Sequence, residues 1–221
     1  MRVISLGSSC DSAGNLKRIG FNYPTTFFDY VWNELNGLKD VTSIIMNDFK
    51  NFDDINNYTV TNSHPVLNWA SFNINKFYPM FVFMHHDTAR QYIIDSLIRK
   101  IVRTQQLLES SEMKVFIYYR HYNRTKYHIC SDVNVIVNES SEFCNMYANK
   151  YNNNFRLLSL LTYEYDEDIS TIEKDIAYAR TFETEHLKFD FVYRQLETDA
   201  HLNDSHNNSW NRIFIEYGLH P

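Results

Sequence analysis

The apolar positions of this chain alternate between short continuous runs and helically spaced stripes. Residues 2–6 form a short apolar run ending at Gly7, and helical spacing follows from about Cys10 to Arg18, with Gly20 at the C-terminal stop position. Leu38, Val41, Ile44 and Ile45 mark one face of a helix over 35–46, whereas the polar, Asn-rich stretch 50–64 predicts a loop. FYPMFVFMHHD (77–87) predicts a strand that ends in polar residues. Ile93, Ile94, Leu97, Ile101 and Leu108 then predict a helix from Thr88 to Glu109. Further strands are predicted at 114–119, 155–163 and 189–194, and helices at 138–150, 169–179 and 208–217, with an acidic loop at 164–168.

Strands alternating with helices imply an α/β fold: a three-layer sandwich around a mostly parallel central sheet, Rossmann-like or SGNH-like in topology, with residues 1–221 as a single domain. The run 2–6 is expected inside that sheet, with helix 10–18 packed against it. Ligands of such sheets bind beyond the carboxyl ends of the strands. Cys10, His85, His86 and Asp87 all follow apolar strands, so parallel strands would make them neighbours on one rim.

That rim carries the candidate chemistry. A cysteine in the first turn of a helix feels the partial positive charge of unpaired N–H groups, which favours the thiolate and offers donors to an oxyanion. Cys10 therefore reads either as a nucleophile or as a small packing residue, with Ser8 or Ser9 capping the helix. A base would come from His85 or His86, which point to opposite faces of an extended strand. Asp87 either supports that histidine or caps the following helix. Asp29, set among aromatics in TTFFDYVW, either orients a histidine or satisfies a tight turn. DAHLNDSHNNSW (199–210) reads as a polar loop offering His201 and His206 as alternative bases.

Composition narrows the setting. A net charge of -6 argues against a nucleic-acid partner. Three cysteines, Cys10, Cys130 and Cys144, without a C-x-x-C pair indicate neither a disulfide framework nor a cysteine zinc site. No signal-peptide core and no run near ~18 apolar residues is present, so a cytoplasmic protein without a membrane partner is expected. The Asn, Ile, Tyr and Phe excess suggests an AT-rich coding sequence, and a viral source would make the location host cytoplasm. His64, His85, His86 and Asp87 are metal-ligand types, but there is no H-E-x-x-H, Walker A loop or G-x-G-x-x-G. Neither metal nor cofactor is expected.

ISLGSSC, LKRIGF, FFDYVW, NDFKNF, MHHD and a Trp-containing closing helix together resemble the papain-like cysteine peptidase family of uncharacterised bacterial and viral domains. Its pattern is S-L-G-x-x-C, P-F-D-W, N-x-F and H-D. The resemblance implies Cys10, His86, Asp87 and Asp29 as site residues. Thr26-Phe27 stand where the pattern has Pro, and Tyr30 replaces its Trp. Papain-like folds carry the cysteine on a long helix and the histidine on a separate antiparallel sheet, whereas the present reading sets Cys10 directly after a parallel strand. In that respect Gly7-Ser8-Ser9 and Asp204-Ser205-His206 are loosely similar to SGNH hydrolases. The function expected is a cysteine-dependent hydrolase acting on a peptide, amide or ester. The alternatives are an SGNH-like serine esterase using Ser8 or Ser9 with His206, or a non-catalytic binding module.

Overall fold

A computed structural model gives the architecture of residues 1–7, 10–21, 24–29, 31–33, 36–61, 72–83, 87–121, 132–164, 169–194 and 204–220. The side chains of Cys10, Asp11, Phe72, His121, Glu164, Arg194, Asp204, Ser205 and His206 are outside this description. Four parallel strands form the central sheet: β1 (Arg2–Ser5), β5 (Lys114–His121), β6 (Phe155–Glu164) and β7 (Leu187–Arg194), in the order β1-β5-β6-β7. Between β1 and β5 the chain forms α1 (Cys10–Arg18), α2 (Leu38–Met46), β2 (Tyr58–Thr61), β3 (Phe72–Asn75), β4 (Tyr78–Val82) and α3 (Gln91–Glu109). The later crossovers are α4 (Val133–Lys150) and α5 (Ile169–Arg180), and α6 (Asp204–Glu216) follows β7.

Period-two alternation along the strands separates two cores. Val115, Ile117 and Tyr119 of β5 pack with Leu16 of α1 and Trp210, Ile213 and Phe214 of α6. Phe116 and Tyr118 face the other side, toward Leu38 of α2, Ile94 of α3, Phe143 and Tyr147 of α4 and Ile176 of α5. The three-layer α/β sandwich expected from the sequence is thus present.

Polar pins fix the layers. On β7, Asp190 is fully buried and receives both guanidinium nitrogens of Arg212 at 3.0 and 2.8 Å, which ties α6 to the sheet. On the opposite face, Ser140 of α4 donates to Ser159 of β6 at 3.1 Å.

Two expectations fail. The run 2–6 is not internal: β1 pairs with β5 alone among the described strands and forms the sheet edge. Its apolar residues report burial on both faces, since Val3 and Ile4 belong to opposite cores, and side-chain pattern says nothing of hydrogen-bonded neighbours. Nor does the 77–87 strand join the parallel sheet. β4 pairs antiparallel with β3, and β3 with β2, in a separate three-strand sheet. The expected loop 50–64 accordingly contains β2, while residues 62–71 lie outside the described residues. A turn signal for the β3–β4 hairpin is present in NINKFY: the fully buried Asn75 accepts from Phe77 N–H at 2.9 Å and donates to Asn51 O at 2.8 Å.

Element ends moved for local reasons. α2 starts at Leu38 rather than 35 because Gly37 takes φ 52, a left-handed conformation that helix residues do not adopt. α4 starts earlier than predicted, where Asp132 accepts from Asn134 N–H at 2.9 Å as an N-cap. α6 begins at Asp204, so 204–206 are helical and not part of a loop.

The Gly37 turn also rests on a buried ion pair. Arg120 is 1% exposed, and its guanidinium meets Glu139 at 2.7 Å, while Glu139 accepts from Leu38 N–H at 3.2 Å. A Cβ on residue 37 would lie 2.5 Å from Arg120, Glu139 and Tyr118 atoms, so only glycine fits. Removing one partner of a buried pair strands the other charge. Glu139→Ala is expected to cost about 3–5 kcal/mol, seen as a lower urea midpoint at unchanged slope.

Candidate active site

The end of β1 carries a hydroxyl at Ser5 and a glycine at Gly7 because the space around them is crowded. Ser5 Oγ accepts from Gly7 N–H at 3.2 Å and shares a 2.6 Å hydrogen bond with Ser12 Oγ, both side chains being fully buried. These hydroxyls tie the first turn of α1 to the end of β1. Gly7 has φ 79, and a Cβ there would come within 3.3 Å of Phe28 O and Val31 Cγ2. Phe28 and Val31 therefore lie directly against Gly7, three residues before Cys10. Cys10 is the first residue of α1, at the end where the helix dipole gathers positive potential. At the other end the helix closes as expected, Gly20 N–H bonding to Lys17 O at 3.1 Å and Phe21 N–H to Leu16 O at 3.0 Å.

The same segment reaches the second sheet. Trp32 and Val82 exchange two main-chain hydrogen bonds, 3.0 and 2.9 Å long, so 31–33 runs antiparallel beside the end of β4. Gly7 thus lies against Phe28 and Val31, and Val82 bonds to Trp32, the residue that follows. Beyond β4, Phe83 N–H donates to Asn73 O at 2.9 Å and Thr88 Oγ1 donates to Asn73 Oδ1 at 3.0 Å. Asn73 on β3 thereby holds both ends of the 83–88 segment. Asn73 and Ser12 were not singled out from sequence, since neither is a chemical residue type in a motif.

The sequence-predicted site residues divide into two groups. His85 and His86 fall outside the described residues, as do Ser8, Ser9, His201 and Cys130. Asp87 is exposed, accepts from Ala89 N–H at 3.3 Å and pairs with Arg90 at 2.7 Å, so it caps the turn before α3. Asp29 is 2% exposed and its Oδ2 accepts from Thr26 N–H at 2.8 Å, the tight-turn role that the aromatic setting suggested. Next to it, Phe27 N–H donates to Thr104 Oγ1 at 2.9 Å, which docks the turn on α3. Oδ1 of Asp29 has no hydrogen-bond partner. Among the described residues, no group of three His, Cys, Asp or Glu side chains is placed to hold a metal ion, and no helix is long and apolar enough to cross a membrane.

A parallel-stranded α/β sandwich that presents a cysteine at the head of the helix after its first strand is the class of protein defined so far. Residues 1–145 match the family described as "Putative papain-like cysteine peptidase (DUF1796)", and the chain belongs to that family. No curated protein and no solved structure matches the chain.

Burial makes Asp29 a reporter of this turn. It pushes the carboxyl up to about 6, against the opposing pull of the Thr26 hydrogen bond and of Lys100 and Arg103. The unfolded chain ionises this group near ~3.9. The folded state therefore keeps a proton that the unfolded state loses between these values, and stability contributed by Asp29 falls as pH rises through that window. Asp29→Asn keeps an acceptor for Thr26. It is expected to abolish a loss of about 3 kcal/mol across the window, measured by urea unfolding of both proteins at a series of pH values.

Proposed function

We propose that the protein is a cysteine-dependent hydrolase of the acyl-transfer type, with Cys10 as nucleophile and His86 as general base and acid. The observation that carries this reading is a pair of neighbouring contacts: Gly7, three residues before Cys10, lies against Phe28 and Val31, and Val82, four before His86, bonds to Trp32. Membership of the papain-like family supports the same pair. So does the separate antiparallel sheet that leads into the histidines, because papain-like folds divide cysteine and histidine between a helix and such a sheet.

In this mechanism the Cys10 thiolate attacks the carbonyl carbon of a peptide, amide or ester, and the electron pair moves onto oxygen. The backbone N–H groups of Cys10 and Asp11 hold that oxyanion. Imidazolium of His86 gives its proton to the leaving group as the carbon–heteroatom bond breaks, leaving a thioester. Water, deprotonated by the same imidazole, then releases the acid and restores the thiol. Asp29 acts as a positioning residue, fixing through Thr26 N–H the turn that Phe27 docks on α3, and Asp87 anchors the end of the histidine segment.

An SGNH-like serine esterase is the second reading, favoured by the parallel sheet and the β1–Gly7–helix turn. It would use Ser8 or Ser9 with His206 of α6.

Cysteine reactivity separates these readings. Cys144, 9% exposed, is pushed up to about 12 by burial and makes only a long 3.8 Å contact to His186 O. An activated Cys10 thiol should ionise below the free value of ~8.5. Iodoacetamide labelling followed by mass spectrometry near neutral pH is expected to modify Cys10 far ahead of Cys144, with His86→Ala slowing it. Slow labelling of Cys10 at a rate unaffected by His86→Ala would reject the dyad and turn attention to Ser8 and Ser9.

A further inference from the structure

The two ends of the 83–88 segment meet on one residue of β3. Phe83 N–H donates to Asn73 O at 2.9 Å, and Thr88 Oγ1 donates to Asn73 Oδ1 at 3.0 Å. His86 lies between these two anchors, three residues after Phe83 and two before Thr88. Successive Cα atoms are about 3.8 Å apart, so both anchors are a short tether from the histidine.

The two bonds differ in kind. That from Phe83 continues the register of the β3–β4 ladder and belongs to the backbone. That from Thr88 joins side chains 15 residues apart and brings the turn before α3 onto β3. Thr88 is only 1% exposed, so its hydroxyl has to find a partner within the fold.

Asn73 is half-buried, and beside it lies a cleft of about 50 Å³ walled by Tyr58, Val60 and Ala89. Such a cleft has room for water, which can take the place of the Thr88 hydroxyl at Asn73 Oδ1. A bond that water can replace adds little to stability. What this one adds is position. It holds the far end of the histidine segment on the strand that pairs with β4, and Val82 of β4 bonds in turn to Trp32.

We propose that Thr88 and Asn73 are positioning residues, their side-chain bond fixing His86 for proton transfer with Cys10. The inference rests on the reading of His86 as the base and extends it to two residues outside the Cys/His pair. A misplacement of about 1 Å is enough to impair such a transfer.

The test is iodoacetamide labelling of Cys10 in the full chain, followed by mass spectrometry across the range in which histidine titrates, about pH 5 to 8. Thr88→Val keeps the shape of threonine without its hydroxyl, whereas Thr88→Ser keeps the hydroxyl. Thr88→Val is expected to slow labelling near neutral pH about tenfold and to flatten its pH profile, and Thr88→Ser to keep at least half the wild-type rate. In the His86→Ala background, Thr88→Val is expected to change nothing further. Urea unfolding of each variant reports stability separately, and Asn73→Ala, with the same expected loss, serves if Thr88→Val does not fold. Labelling unchanged in Thr88→Val while His86→Ala slows it would overturn the inference and leave the base in place. Equal slowing by Thr88→Val with and without His86, or no rescue by Thr88→Ser, would also overturn it, by showing a general loosening of the fold. No effect of His86→Ala would reject the base, and this inference with it.

Discussion

Phe27 is the side chain on which the two sheets depend. Its ring lies 4.9 to 6.3 Å from those of Phe28, Phe49, Phe52, Phe81 and Phe83, mostly edge to face. Those partners come from the 26–33 segment, the chain after α2, and β4 with its extension. This aromatic cluster joins the antiparallel sheet to the core shared with α2 and α3. Because the Phe27 backbone N–H donates to Thr104 Oγ1 of α3, the residue is fixed at both backbone and side chain. Trp32 then has one place to run, beside Val82.

Fixing 26–33 in this way has a consequence for chemistry. A nucleophile and base carried on different sheets need a rigid spacer, since a displacement of about 1 Å is enough to impair a catalytic geometry. For the proposed Cys10–His86 pair that spacer would be Phe28, Val31 and Trp32, the first two against Gly7 and the last hydrogen-bonded to Val82. The buried Arg120–Glu139 pair extends the support by holding the turn at Gly37 through Leu38 N–H. Ion pairs in such sites contribute little net stability over an apolar equivalent. Their retention next to the carboxyl end of β5 fits a role in defining one loop position.

The arrangement also reconciles the family description with a parallel sheet. A cysteine that opens a nine-residue helix after a parallel strand is unlike a papain-like core when considered alone. With β4 reassigned to an antiparallel sheet, the cysteine-bearing helix and the segment leading to the histidines belong to separate units. The likeness lies in that division of labour, and the parallel sheet is the frame on which it is mounted.

Periodicity in the sequence determined the elements. The apolar runs at β1, β5, β6 and β7, the stripes of α1 and α3, and the stop at Gly20 were legible because side-chain burial is written residue by residue. So was the three-layer class, which follows from the alternation of strands and helices. The bland role of Asp29 as a turn acceptor was also open to view, from a carboxylate among aromatics. Hydrogen-bonded neighbours were not legible. Nothing in VISL tells an edge strand covered by Pro24 and α3 from a central one, since both faces are buried in either case. FYPMFVF reads equally well as a parallel or an antiparallel strand, because pairing is a contact with residues distant along the chain. The placement of Gly7 against Phe28 and Val31, and of Trp32 against Val82, was decided by tertiary packing alone, for the physical reason that a backbone contact between distant segments leaves no periodic mark in either of them.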